Sequence, residues 1–450
     1  MTFFSQIRPA WISNLLLAST LFIFNAHNAN AESKKIQLNE SITAEEYQLP
    51  NGLNIILIPN KKAPSSWVYH WVKAGSLHEK PGITGIAHLF EHMMFRPLTK
   101  GAKPFFDQVK ELGGSANANT RYQATVYLTN VPNENLPQLL KIEASRFQKM
   151  KVTDDLLNVE RKAVWSEYST KFDSNPFIDL WFHLYQIGFP DHPFGWTVVG
   201  AREDLEKINA KDCNEFFSKY YKPNNIGLFV GGDFDPVKMK KVIQSAYGGW
   251  KKGETATLPT PFNPPGKMIQ GLGKLPAQAK NALIGFRVPF WSAENAAEFE
   301  LGSYLLLGSR FSLAEKRLKD QLKIVSYIEP FNLEYDPGLF KFLVILNPKS
   351  TLDQVIQESI NVVQSDLKKM PEDEFQAHVQ NYQTKMKEAS LRNEGMISEA
   401  VDIWGRYGKL EIYADLLNKP LQIKKEQLIR FYEPLFKKEN MVVVTSPEKK

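Results

Sequence analysis

The stretch that most restricts how this chain can fold is His88-Leu89-Phe90-Glu91-His92. From Ile83 to Phe95 every residue is apolar except Thr84, Gly85, the two histidines and Glu91, so the run reads as a helix sunk in a core. Thr84 is its predicted N-cap. His88 and His92 are four apart and Glu91 lies three past His88, which brings all three side chains near one helix face. Two imidazoles and a carboxylate on a buried helix are costly unless something satisfies them. A metal ion does so, bound by two neutral imidazoles, with the carboxylate activating its water. The plainer reading has two core histidines bonded to backbone carbonyls and Glu91 reaching solvent. The order H-x-x-E-H is the inverted form of the commoner H-E-x-x-H, which favours the metal.

A catalytic zinc commonly takes three protein ligands and leaves a fourth position to water, so the rest of the chain must supply a further donor. Residues Asp154 to Thr170 read as a helix with Thr153 as N-cap and Asp154 and Asp155 in its first turn. On it Glu160 and Glu167 are seven apart, two turns, with Ala163 and Val164 between them. Alone, this is a solvated helix with casual acids. Beside the pentad it is a face turned inward, and an inward carboxylate completes a zinc site.

The formal charge of +6 is no nucleic-acid signature, because Lys and Arg are spread along helix-like stretches such as KMKKVIQSAYGGWKK. Cys213 is alone, which excludes an internal disulfide and a Cys-ligated zinc site. Residues 1–31 read as a secretory signal: Arg8, the apolar run LLLASTLFIF and Ala29-Asn30-Ala31 as a cleavage site before Glu32. That run is about half of the roughly twenty residues a membrane span needs, so no stable anchor is expected. Export places the mature chain in the periplasm first and the extracellular space second.

The length suggests two or more domains. A first, 32–250, opens with strands at Leu53–Pro59 and Trp67–Ala74 and carries both motifs. After Gly113-Gly114, Ala116 to Val131 reads as one long strand. Residues 251–274, with Pro259, Pro261, Pro264 and Pro265, read as a linker. The second domain, 275–450, repeats the order of strand, helix pair, strands and helix, with helices expected at Ala293–Leu307, Ser312–Leu322 and Leu352–Lys369. It has a single histidine, His378, and no metal pattern. The fold class expected is α+β, two related domains, each a β-sheet with helices packed on it.

The two segments together resemble the pitrilysin family of zinc peptidases, which includes insulin-degrading enzyme and mitochondrial processing peptidase. Its H-x-x-E-H falls on His88, Glu91 and His92, and its downstream E-x6-E pair on Glu160 and Glu167. Gly113, Gly114, Asn117, Ala118 and Thr120 match its glycine pair and N-A-x-T strand. His192–Gly195 match H-P-[YF]-G, and Tyr221, Pro223 and Asn225 match Y-x-P-x-N. The resemblance implies one Zn²⁺ held by His88, His92 and Glu167, Glu91 as general base, and Glu160 as an orienting acid that does not touch the metal. It implies that Asn117 and Ala118 bind a peptide or unfolded segment as an added strand.

Beyond residue 274 the resemblance departs. The family's L-R-x6-Y motif, whose Arg and Tyr contact substrate, falls on Leu318 to Tyr327, with Lys319 at the Arg position, Ser326 at the Tyr position and Tyr327 one residue late. An ammonium lacks the planar fork of a guanidinium. The chain is therefore expected to work as half of a two-chain peptidase, its partner a second family subunit carrying the Arg/Tyr motif; a homodimer in which Tyr327 serves is the competitor. Another class of function, an architectural or chaperone-like subunit, has no need of the intact five-residue set. For the leader, sequencing the N-terminus of exported protein is expected to give Glu32; a retained Met1 or a cytoplasmic location contradicts it.

Overall fold

The structure, a computed structural model, describes residues 33–171, 174–257, 266–288, 292–330, 338–418 and 422–449, so the leader 1–31 lies outside the described residues. The first half runs β1 (Lys34–Asn39), β2 (Ile42–Gln48), β3 (Asn54–Pro59), β4 (Ser66–Val72), α1 (Ile86–Met93), α2 (Phe105–Glu111), β5 (Ser115–Thr120), β6 (Thr125–Val131), α3 (Leu136–Lys149), α4 (Asp154–Lys171), α5 (Pro176–Gly188), α6 (Arg202–Lys207), α7 (Ala210–Tyr220), β7 (Ile226–Gly232) and α8 (Pro236–Tyr247). The second runs β8 (Ile269–Leu272), β9 (Asn281–Arg287), α9 (Ala296–Leu306), a π-wound turn (Glu315–Gln321), β10 (Val325–Pro330), β11 (Leu339–Leu346), α10 (Leu352–Asn361), α11 (Glu372–Ser390), α12 (Asn393–Tyr407), α13 (Leu410–Asn418), α14 (Lys425–Tyr432) and β12 (Met441–Thr445). No helix among the described residues is long and apolar enough to cross a membrane.

Each half contributes one sheet. The first has the order β1-β2-β3-β7-β4-β6-β5 and the second β10-β11-β9-β12-β8. In the first, β3 runs parallel to β7, and β4, β6 and β5 follow antiparallel. In the second, β8 runs parallel to β12, and β9, β11 and β10 follow antiparallel. The same five-strand pattern thus occurs twice. The fold is the expected α+β one, two related sheet-and-helix units.

The halves exchange helices. One face of the first sheet (Ile55, Leu57, Val68, Val72, Leu228, Val230) packs with α1, α3, α7 and α8. The opposite face (Ile56, Ile58, Tyr69, Trp71, Phe229) packs with Met396, Ile397 and Trp404 of α12, a helix of the second half. In return, Leu180, Leu184 and Tyr185 of α5 lie on Leu283, Leu339, Val442 and Val444 of the second sheet. A Cβ on Gly231 would come within 2.1 Å of Ile397, one on Gly227 within 2.6 Å of Trp404, and one on Gly405 of α12 within 2.4 Å of the Trp71 ring. These glycines let the helix backbone settle onto the sheet.

Three local expectations change. The chain from Ala116 to Val131 is a hairpin rather than one strand: Arg121 N–H bonds the Ala124 carbonyl at 2.7 Å, and the turn holds because Tyr122 packs against Tyr185 and Phe194. Residues 251–274 are not linker throughout, since β8 sits inside them as an edge strand of the second sheet. Helix α1 starts one residue later than expected, capped by Gly85 at φ 86°, a left-handed conformation that Thr84 would resist; the Thr84 hydroxyl instead donates to Asp204 at 2.7 Å. Periodicity gives no sign of α5, because Leu180, Leu184 and Tyr185 face the second sheet while Trp181 and Phe182 face a cavity on another side.

Gly405 decides between two opposed effects. In an open helix Gly→Ala gains about 1 kcal/mol, but here the new methyl meets a buried indole, and overpacking costs about 1–3 kcal/mol. Gly405→Ala is expected to lower the melting temperature; an increase would show that α12 is not seated as described.

Candidate metal centre

Helix α1 is held at both ends by side chains that answer its free backbone groups. At the N-terminus the fully buried Glu79 carboxylate accepts from Gly85 N–H at 2.8 Å and Ala87 N–H at 2.9 Å, two donors that the helix cannot satisfy itself. Burial pushes the Glu79 carboxyl up to about 8, outweighing both hydrogen bonds, which pull the other way. At the C-terminus Arg146 donates to the Met94 carbonyl at 3.3 Å. Its guanidinium lies 3.8 Å from the Phe105 ring centroid and bonds Glu143 at 2.9 Å, so the charge is buried but paired.

The face of α1 so fixed carries the pentad. His88 and Glu91 are buried and His92 is partly buried. α4, capped by the Thr153 hydroxyl on Leu156 N–H at 3.4 Å, crosses α1 and brings in Glu160 and Glu167. Glu167 Oε2 lies 3.7 Å from His88 Nε2 and 3.4 Å from His92 Nε2, and one donor atom from each of the three residues lies within 4.8 Å of the others. Bonds of about 2.0–2.2 Å in tetrahedral array put donors about 3.3–3.6 Å apart, so this set fits zinc.

The other side of His92 is also taken. Its Nδ1 is 3.4 Å from Oε2 of the buried Glu160, whose second oxygen pairs with Arg96. Burial alone would lower the His92 pKa, but Glu160 and Glu167 draw it up to about 9. Proton and metal compete for such a nitrogen, and the carboxylate on Nδ1 turns Nε2 toward Glu167. Glu91 accepts from the Thr120 hydroxyl at 2.6 Å. Burial raises the Glu91 pKa above the usual carboxylate range, with Thr120 and His92 pulling it down.

These groups open on a cavity of about 890 Å³. One wall is the chain from Asn117 to Tyr122; another is apolar, with Phe95, Phe106, Trp181, Phe182 and Val198. Its lining residues, among those described, all belong to the first half. Asn117 and Ala118 lie on β5, the edge strand, where Ala118 N–H donates to the Asn117 side chain at 2.9 Å rather than to β6. Lys319 and Tyr327 do not border the cavity. Lys319 pairs with Glu315 at 3.1 Å in the π-wound turn, and Tyr327, 42% exposed on β10, bonds Glu329 through its hydroxyl. Between them Lys323 adopts φ 52°, a left-handed conformation.

Two family models match the chain: one described as Insulinase (Peptidase family M16) over residues 54–200, the other as Peptidase M16 inactive domain over 207–382. The chain belongs to peptidase family M16. Among curated relatives of this M16 chain, the zinc protease PqqE of Helicobacter pylori is 25% identical over 94% of this chain and 95% of its own. The mitochondrial-processing peptidase subunit beta of Saccharomyces cerevisiae is 27% identical over 48% of this chain and 46% of its own. In fold, a crystal structure of a protease from Helicobacter pylori superposes with a TM-score of 0.81 at 24% identity, covering 90% of this chain and 99% of the other. Pitrilysin superposes at 0.74 with 19% identity over 93% of this chain, which spans 47% of pitrilysin.

Sequence reasoning passed over the roles of Glu79, Arg96 and Arg146. Arg96 could have been found, since it lies four residues past His92 on the same helical period; Glu79 and Arg146 carry no local signal. Glu79→Gln would turn an amide NH₂ toward one of the two helix N–H groups. A buried donor left unsatisfied costs about 1–3 kcal/mol, so urea denaturation is expected to show that loss, and an unchanged midpoint would remove the clamp.

Proposed function

We propose that this M16 chain is an exported zinc-dependent endopeptidase subunit, acting in the periplasm on peptides or unfolded polypeptide segments. The observation that carries the reading is the convergence of His88, His92 and Glu167 beside a buried Glu91, all opening on a cavity whose wall is an unpaired sheet edge.

Zinc held by His88 Nε2, His92 Nε2 and Glu167 would supply a Lewis acid that polarises a peptide carbonyl and acidifies water. The chain's own residues do the rest. Glu91, its carboxylate aimed by Thr120 and its basicity raised by burial, takes the proton from the attacking water and returns it to the leaving amine nitrogen. Glu160, steadied by Arg96, holds the His92 ring in the tautomer that leaves Nε2 free for metal. The edge of β5 takes an extended peptide as a further strand, with Ala118 N–H exchanging the Asn117 side chain for a substrate carbonyl. The apolar wall accepts a hydrophobic side chain next to the scissile bond.

The place of Lys319 and Tyr327 supports work in a pair. Both are engaged by glutamates of their own half and neither borders the cavity, so a second M16 subunit that closes over it would bring the missing Arg and Tyr. A homodimer would need Tyr327 of one copy to leave Glu329 and reach the other copy's cavity.

Glu91→Gln is expected to retain one zinc per chain and to lose peptide cleavage, while Glu167→Ala loses both. Metal mass spectrometry beside a peptide-cleavage assay checks this. A metal-free Glu91→Gln protein, or an active zinc-loaded Glu167→Ala protein, contradicts the assignment. For the pairing, the chain with a subunit carrying the Arg/Tyr motif is expected to form a 1:1 complex in solution and to cleave at least about a hundredfold faster than alone, the typical effect of one transition-state donor. Full activity from the isolated monomer contradicts it.

A further inference from the structure

Among the described residues the second half supplies none to the metal cavity, yet one of its side chains reaches the cavity wall. Arg121 directly follows β5 and borders the cavity, and its Nη1 donates to Asp402 Oδ1 of α12 at 2.6 Å. Both side chains are buried, at 5% and 8% exposure, so the pair is shielded from water and salt. The guanidinium is fixed on two further sides: Nε donates to Asn119 Oδ1 at 2.8 Å, and its carbon lies 5.0 Å from the Trp71 ring centroid. Its neighbour in sequence, Thr120, donates to Glu91. A continuous path therefore runs from Asp402 through Arg121 to Asn119 and Thr120, and from Thr120 to Glu91.

We infer that Asp402 is a positioning residue: through Arg121 it holds the end of the edge strand in register with the metal helix, so that the second half sets the substrate strand and the Glu91 carboxylate without touching either. The inference rests on the proposed peptidase reading of the site. Geometry explains the need. β5 pairs with β6 on one side only, and its residues alternate between exposed and half-buried with none fully buried, so packing alone leaves the strand loosely fixed. A buried ion pair with two hydrogen bonds from one planar guanidinium fixes orientation better than apolar contact does. Removing one partner of such a pair leaves the other charge buried without its counter-charge, so the strand end has to move to reach water.

The test compares the full chain with Asp402→Asn and Asp402→Glu by hydrogen exchange, zinc content, and binding of an unstructured peptide in the Glu91→Gln background. Asp402→Asn is expected to speed amide exchange across 115–124 about tenfold, to leave β7 and α3 protected, to keep one zinc per chain, and to weaken peptide binding about fivefold or more. Asp402→Glu, which keeps the charge, is expected to recover most of the binding. Unchanged exchange over 115–124 overturns the inference, and so does a uniform loss of protection over the whole sheet in both variants, which would make the pair an ordinary fold contact. The exchange readout needs no turnover. A wild-type chain that holds no zinc and cuts no peptide refutes the reading of the site, whereas an active protein with an indifferent Asp402 refutes this inference alone.

Discussion

The cost of burying His88 and Glu91 on α1, with His92 beside them and Glu160 brought up against it, governs much of the first half. Imidazoles and carboxylates lose hydration that apolar neighbours cannot replace. The structure answers with Glu160 and Glu167 on His92, Arg96 on Glu160 and the Thr120 hydroxyl on Glu91. The helix that carries them is fixed in the same way, by Glu79 at one end and Arg146 at the other. The Glu79 carboxyl takes up N–H groups at the N-terminus that the helix leaves free, and the guanidinium at the C-terminus meets a carbonyl and favours the helix dipole. The site is held by these paired polar groups.

That support extends to the second half through the exchange of helices. α12 covers the back of the first sheet and α5 covers one face of the second, so each sheet needs the other half to complete its core. The glycines of β7 and Gly405 are the sequence trace of this, giving up side chains where helix and sheet backbones approach. The half without the His88, His92 and Glu167 set is therefore structural to the half that carries it, and Asp402 links that dependence to the cavity wall through Arg121.

The sequence exposed the parts whose chemistry is local. The pentad declared itself because three polar residues at helical spacing in an apolar run demand a partner, and the two-turn spacing of Glu160 and Glu167 gained its meaning only beside that demand. The repeat was visible as a recurring element order. What stayed hidden depends on contacts between distant residues. The hairpin at Arg121 to Ala124 turns because Tyr122 is anchored by Tyr185 and Phe194, and nothing in RYQA reads as a turn. β8 was lost in a proline-rich stretch because an edge strand of four residues shows too little alternation to read. Lys319 and Tyr327 could be aligned to a motif, but only the fold places them away from the cavity.

Anomalous diffraction at the zinc edge from crystals of zinc-loaded Glu91→Gln protein tests the central claim most directly. The account predicts one strong peak per chain, bonded at about 2.0–2.2 Å to His88 Nε2, His92 Nε2 and a Glu167 oxygen, with Glu160 on His92 Nδ1. A peak bonded to Glu160 in place of Glu167, or no peak between α1 and α4, would contradict it.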